Sequence, residues 1–307
     1  MEVKSNIFRG IVNKFIGIFA HSFNIRMAVL NFKRAKKKEI PEEEMTFWDH
    51  LDEFRSVLIR GVIAIVSISI IAFSFKKILF DYIILAPKSS TFITYRVLCK
   101  IGKMLSMDSF CLQPSTINLI NINLAGQFMS HMMISLITGL VISIPYIIWE
   151  LWHFISPGLT EKERENTRGV VLIVSLLFLT GILFSYFLVV PLMVNFLGNY
   201  QVSETVVNTI SLTSYTSSVT TLTLLMGLIF EFPVIVIFLT KIGILSPQLL
   251  RKYRKHIIVI IFIAAGLITP SPDIFSQLIV AVPLYALFEI SIVISARMYK
   301  KREENAG

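Results

Sequence analysis

Six runs of apolar residues separated by short polar stretches set the pattern of this chain: 57–75, 128–149, 169–196, 215–240, 257–269 and 274–296. Crossing about 30 Å of hydrocarbon takes roughly 20 helical residues, and a spanning segment must satisfy its backbone internally. The first run contains only Arg60, and the second and third contain no Asp, Glu, Lys or Arg. The fourth carries Glu231 and the sixth Glu289, while the fifth has 13 residues. After the fifth, Pro270, Ser271, Pro272 and Asp273 read as a tight turn with a capping serine, so the fifth and sixth runs are expected to form a short helical hairpin. The pattern predicts an all-α, polytopic membrane protein of six transmembrane helices.

Composition supports that reading. Of 307 residues, 54% are hydrophobic and 16% charged, and the mean hydropathy is +0.72, far from the balance of a soluble domain. The net charge of +9 would suggest nucleic acid in a soluble protein. Here the basic residues flank apolar runs, which points to the membrane surface and to no nucleic-acid partner. Twenty-three of the 29 Lys and Arg fall in 1–60, 150–168, 241–256 and the tail from Arg297. The other six are Lys76, Lys77, Lys88, Arg96, Lys100 and Lys103. By the positive-inside rule both termini are expected to be cytoplasmic.

Residues 1–45 form a basic N-terminal extension. Ile7, Phe8, Ile11, Val12, Phe15, Ile18 and Phe19 give it an apolar face, followed by the basic run 33–38. Two readings stay open, an amphipathic helix on anionic lipid and a poorly ordered tail. No uninterrupted apolar core of a cleaved signal peptide is present. Cys99 and Cys111 lie in the exterior loop 76–127, as a disulfide or as two free thiols. Prolines 145, 191, 233 and 283 interrupt four spans and predict kinks. No phosphate-cradling loop, zinc motif or nucleophile constellation is found, and His50, His153 and His256 sit near interfaces as solvated side chains. The chain is therefore expected to be no enzyme, with no metal and no cofactor.

Acids stand out against this background. Asp49, Asp52 and Glu53 precede the first span within an interfacial helix, and Glu161, Glu163 and Glu165 follow the second. Brought together, they make a cytoplasmic surface able to hold guanidinium groups in charge-assisted hydrogen bonds; kept apart, they form exposed salt bridges worth little. Glu231 lies roughly 14 Å from the cytoplasmic end of its helix, near mid-membrane, where an ionisable group is a functional candidate. Glu289 is nearer the inner interface and can pair locally.

Five motifs in order carry a resemblance: His50-Leu51-Asp52-Glu53-Phe54-Arg55; Phe154-Ile155-Ser156-Pro157-Gly158-Leu159 with Glu163-Arg164; Ser185-Tyr186-Phe187 with Pro191; Phe230-Glu231-Phe232-Pro233; and Thr269 through Gln277. Together, over residues 46–299, they resemble the TatC family, the multispanning component of the twin-arginine, Sec-independent protein translocase. The resemblance implies a glove-shaped helical bundle that receives twin-arginine signal peptides of folded cargo, with export driven by the proton motive force. It assigns Glu53, Arg55, Phe154 and Glu163 to signal-peptide binding, Glu231 to the intramembrane concave face and Gln277 to partner contacts. It further implies small single-span partners of the TatA and TatB type, and a homo-oligomer within a hetero-complex. Asp52 and Phe54 inside the first motif, the long basic extension and the enlarged exterior loop depart from the family pattern. Residues 300–307 are read as a cytoplasmic tail.

The alternative is a proton-coupled small-solute transporter using Glu231 as its proton site, and a third class is a scaffold without transport. A receptor needs Glu53 and Glu163, a carrier tolerates their loss, and a scaffold tolerates loss of all three. The fifth span reaches only about 20 Å, which predicts local bilayer thinning and a lower barrier for folded cargo.

Overall fold

The computed structural model describes residues 47–89, 91–104, 118–156, 169–203, 209–268 and 274–306. The chain divides into two units, Met1–Asp52 and Glu53–Gly307. Of the first, only the helical residues 47–52 are described. The N-terminal extension and the 270–273 turn lie outside the described residues.

The apolar runs are helices. The first, α1, spans Phe47–Ser74. The acidic motif and the first span are thus one continuous helix, since no Gly or Pro separates them until Gly61. The segment between the first two spans follows, with a π-helical turn Ile78–Ile84, a 3-10 turn Ala86–Lys88 and helix α2, Ile93–Met104. Strand β1 is Asn118–Ile120, and the second span is α3, Gly126–Ile155. The third is built of α4 (Val170–Phe184), a π-helical turn Ser185–Val189 and α5 (Val190–Asn199). Strand β2 (Thr209–Ser211) pairs with β1 in parallel, Asn118 opposite Thr209 and Ile120 opposite Ser211. These two short strands are the one departure from helix among the described residues' regular elements. The fourth span is α6 (Leu212–Phe230) and α7 (Phe232–Lys241), divided at Glu231. Then come α8 (Pro247–Lys252), α9 (Arg254–Ile268) and α10 (Ile274–Ala306).

Five of these segments, 50–74, 126–155, 170–199, 212–241 and 277–299, are long and apolar enough to cross a membrane. Helix α9, with 15 residues, is not. Leu58, Ile59, Val62, Ile63, Val66 and Ile70 on α1 are 46–64% exposed. Such a surface would aggregate in water and suits a lipid-facing stripe.

Where helices touch, small residues let them approach. A Cβ on Gly181 of α4 would lie 2.7 Å from the Met226 carbonyl and 2.9 Å from Gly227 Cα on α6. One core cluster gathers Ala72, Ile134, Val190, Met193 and Tyr215. A second joins Val189, Met226, Phe230, Ala265 and Val280. A third joins Val236, Leu250, Phe288 and Ile292.

Irregular backbone is satisfied by side chains, as buried peptide groups must be. The hydroxyls of Tyr186, Tyr215 and Tyr95 donate to the carbonyls of Ile83, Ile84 and Pro87 at 2.8, 2.9 and 3.0 Å. Pro191 has no N–H for the carbonyl of Phe187 four residues earlier, and Thr94 Oγ1 donates to that carbonyl instead. Cys99 on α2 is disulfide-bonded, and the chain's only other cysteine, Cys111, lies outside the described residues.

At its other end the fourth span stops in a Schellman turn. Gly243, at φ 85°, donates to the Thr240 carbonyl at 3.1 Å, and Ile244 donates to that of Leu239 at 3.0 Å. Only a glycine meets that positive φ cheaply. Ser246 then caps α8 by accepting from Leu249 N at 3.3 Å, with Pro247 at the first helical position.

Candidate functional site

The start of α1 and the end of α3 carry the described residues of the first two motifs. Glu53 is half-buried and Arg55 exposed on α1, and Phe154 is half-buried in the last turn of α3. The rings of Phe54 and Phe154 meet at 5.4 Å between centroids and 44° between planes. That contact brings the first two motifs side by side. Glu163 lies outside the described residues, as do Glu161 and Glu165, so the acidic partner from the second loop is not placed.

The same two helices hold an ion pair that reading the sequence did not single out. Arg60 Nε donates to Glu150 Oε2 at 2.9 Å, and the hydroxyl of Tyr146 donates to Glu150 Oε1 at 2.5 Å. The available signal was depth: Arg60 lies seven residues inside Glu53, and Glu150 four residues inside Phe154. Those spacings are two turns and one turn of helix.

Glu231 occupies the break between α6 and α7. Its carboxylate oxygens are both shielded from solvent without a hydrogen-bond partner among the described residues. The break falls two residues before Pro233, whose missing N–H opens the α-helical ladder, and Glu231 N there donates to the Leu228 carbonyl at 3.1 Å. An ionisable side chain shielded in this way within an apolar span is costly to place there.

Gln277 Nε2 donates to the Phe262 carbonyl at 2.8 Å, tying α10 to α9. Glu289 pairs locally: Arg254 donates to it at 2.6 Å and Tyr285 at 2.8 Å. His153 stacks on Trp149 at 6.1 Å. No group of three or more metal-ligating side chains is found among the described residues.

Among the described residues the arrangement offers hydrogen-bonding and charged groups at one end of the helices, two shielded carboxylates, Glu150 and Glu231, and no assembled nucleophile. Comparison with known proteins agrees. A family profile for "Sec-independent protein translocase protein (TatC)" matches residues 49–283. A relative of that description from Blattabacterium sp. subsp. Periplaneta americana is 39% identical over 263 residues, covering 85% of this chain and 98% of the relative. The Bacillus subtilis protein TatCy is 33% identical over 264 residues, covering 86% and 94%. A crystal structure titled as the twin-arginine translocase receptor TatC superposes with a TM-score of 0.58 at 32% identity, covering 80% of this chain and 97% of that one. A second, in detergent, gives 0.61 with 80% and 99%. The match is to protein translocase components, and the solute-carrier alternative gains no support from it.

Proposed function

The chain belongs to the TatC family of Sec-independent protein translocase proteins, and from that premise we propose how its own residues serve as a receptor. It is a multispanning subunit of a protein translocase and not an enzyme. Its ligand is the twin-arginine signal peptide of a folded cargo protein, moved with the proton motive force. Glu53 and Glu163 take the two guanidinium groups, since a carboxylate holds an arginine through paired N–H donors in a geometry that lysine lacks. Arg55 and Phe154 shape that site, and the Phe54–Phe154 contact is the observation that carries the reading, because it sets the first two motifs beside one another.

In this account six helices cross the inner membrane, with residues 46–299 as the membrane domain. Residues 1–45 and 300–307 are then a cytoplasmic extension and tail. Glu231 lies on the path of the inserted signal. Gln277, at the exterior end of the fifth and sixth helices, lies on the face that meets single-span TatA- and TatB-type partners in an oligomeric complex. The experiment is binding of a twin-arginine peptide to the full chain in membranes. Glu163→Lys turns attraction into repulsion and is expected to abolish arginine-dependent binding, and binding that survives the change contradicts the proposal.

A further inference from the structure

A charged side chain within an apolar helix pair is costly unless partnered, yet α1 and α3 each set one at the same depth. The Glu150 side chain is 8% exposed and that of Arg60 43%. The carboxylate is enclosed, with one oxygen taking Arg60 from α1 and the other taking Tyr146 from one turn earlier on α3. A bond of this kind restrains both sliding and rotation of one helix against the other.

Its position along the pair gives the restraint a consequence. Glu53 and Arg60 are seven residues apart, which puts them two turns apart on one face of α1, with buried Val57 between them. The close crossing of the two helices lies on the far side: a Cβ on Gly139 would sit 2.8 Å from the Ile65 carbonyl and 2.0 Å from Ser69 Oγ. From Ser69 to Glu53 is about 24 Å of helix. A change of about 10° at that fulcrum carries Glu53 through about 4 Å, beyond the tolerance of any hydrogen bond. Between fulcrum and site the flank of α1 is open, with Leu58, Ile59, Val62 and Ile63 48–57% exposed.

We propose that Arg60 and Glu150 are positioning residues of the receptor site: their ion pair, braced by Tyr146, holds the inner ends of the first two spans in the register that presents Glu53 beside Phe154 to a paired-arginine ligand. The inference rests on the receptor reading above. Held on both oxygens by donors of its own chain, Glu150 is also withheld from the incoming guanidinium, leaving recognition to Glu53 and Glu163.

The test is titration of the full chain in lipid nanodiscs with a fluorescent twin-arginine signal peptide and its Lys-Lys counterpart. Arg60→Gln/Glu150→Gln, which strands no buried charge, is expected to weaken binding of the twin-arginine peptide about tenfold and to leave the residual Lys-Lys binding unchanged. The exchange Arg60→Glu/Glu150→Arg is expected to recover most of that loss, a rescue that general destabilisation does not produce. Should the double variant not fold, Arg60→Lys carries the test, keeping the charge while losing the Nε geometry, with about a threefold loss expected. Wild-type affinity in the double or the Lys variant, alongside loss of binding in Glu53→Gln, overturns the positioning role and leaves the receptor reading intact. An exchange variant as weak as the double overturns it too. Wild-type binding by Glu53→Gln overturns the receptor reading itself.

Discussion

Tyr95 illustrates how a single side chain closes the irregular backbone between the first two spans. Its hydroxyl lies within hydrogen-bonding distance of the carbonyls of Pro87 and Pro191, at 3.0 and 3.2 Å, and burial pushes its phenol up to about 12. The unfolded value is about 10, so the folded chain holds this proton more tightly. The resulting stability is fully present below pH about 10 and is lost as pH rises through about 12. Tyr95→Phe is expected to lower stability by about 1–2 kcal/mol at neutral pH and to flatten the alkaline limb of the unfolding midpoint measured in detergent. At the other functional residues, the sequence was informative to different degrees. Glu231 was legible as a candidate because an acid deep in an apolar run is costly and stands out, although Glu289, in another such run, is accounted for by Arg254 and Tyr285. Arg60 and Glu150 were not, because each sits near a predicted interface where solvent would satisfy it, and sequence does not give the rotation of one helix about another.

At the scale of elements, the four span prolines separate into two kinds. Pro145 and Pro283 lie inside continuous helices, whereas Pro191 follows a π-helical turn and Pro233 follows the break at Glu231. The sequence announced all four as kinks, and what decides between them is tertiary: Thr94 and Tyr95 reach the carbonyls exposed around Pro191. The helical runs were legible because lipid leaves the backbone no alternative. The strand pair was not, since three residues of β1 and three of β2 carry no period long enough to read. Two predictions belong here. Gly181→Val drives a side chain into the Met226 carbonyl, 2.7 Å from its first carbon, and is expected to cost about 1–3 kcal/mol, seen as a lower unfolding midpoint. The other concerns α9, whose 15 residues span about 22 Å. Adding one turn of four apolar residues is expected to reduce export of folded cargo in intact cells without loss of signal-peptide binding; undiminished export contradicts a role for membrane thinning.

For the whole molecule, recognition and transport are assigned to opposite depths of one helical bundle. The proposed binding site is at the ends of the first two spans where Phe54 meets Phe154, and the acid Glu231 lies at the break in the fourth. Close small-residue packing and interhelical hydrogen bonds, not apolar surface facing lipid, hold the helices together. Site-specific photocrosslinking in native membranes tests this assignment most directly, with a probe on a signal peptide carrying Arg-Arg or Lys-Lys and the attached residues mapped by mass spectrometry. The account predicts crosslinks near Glu53 and Glu163 from the Arg-Arg peptide alone; crosslinks that are absent there, or that form equally with Lys-Lys, contradict it.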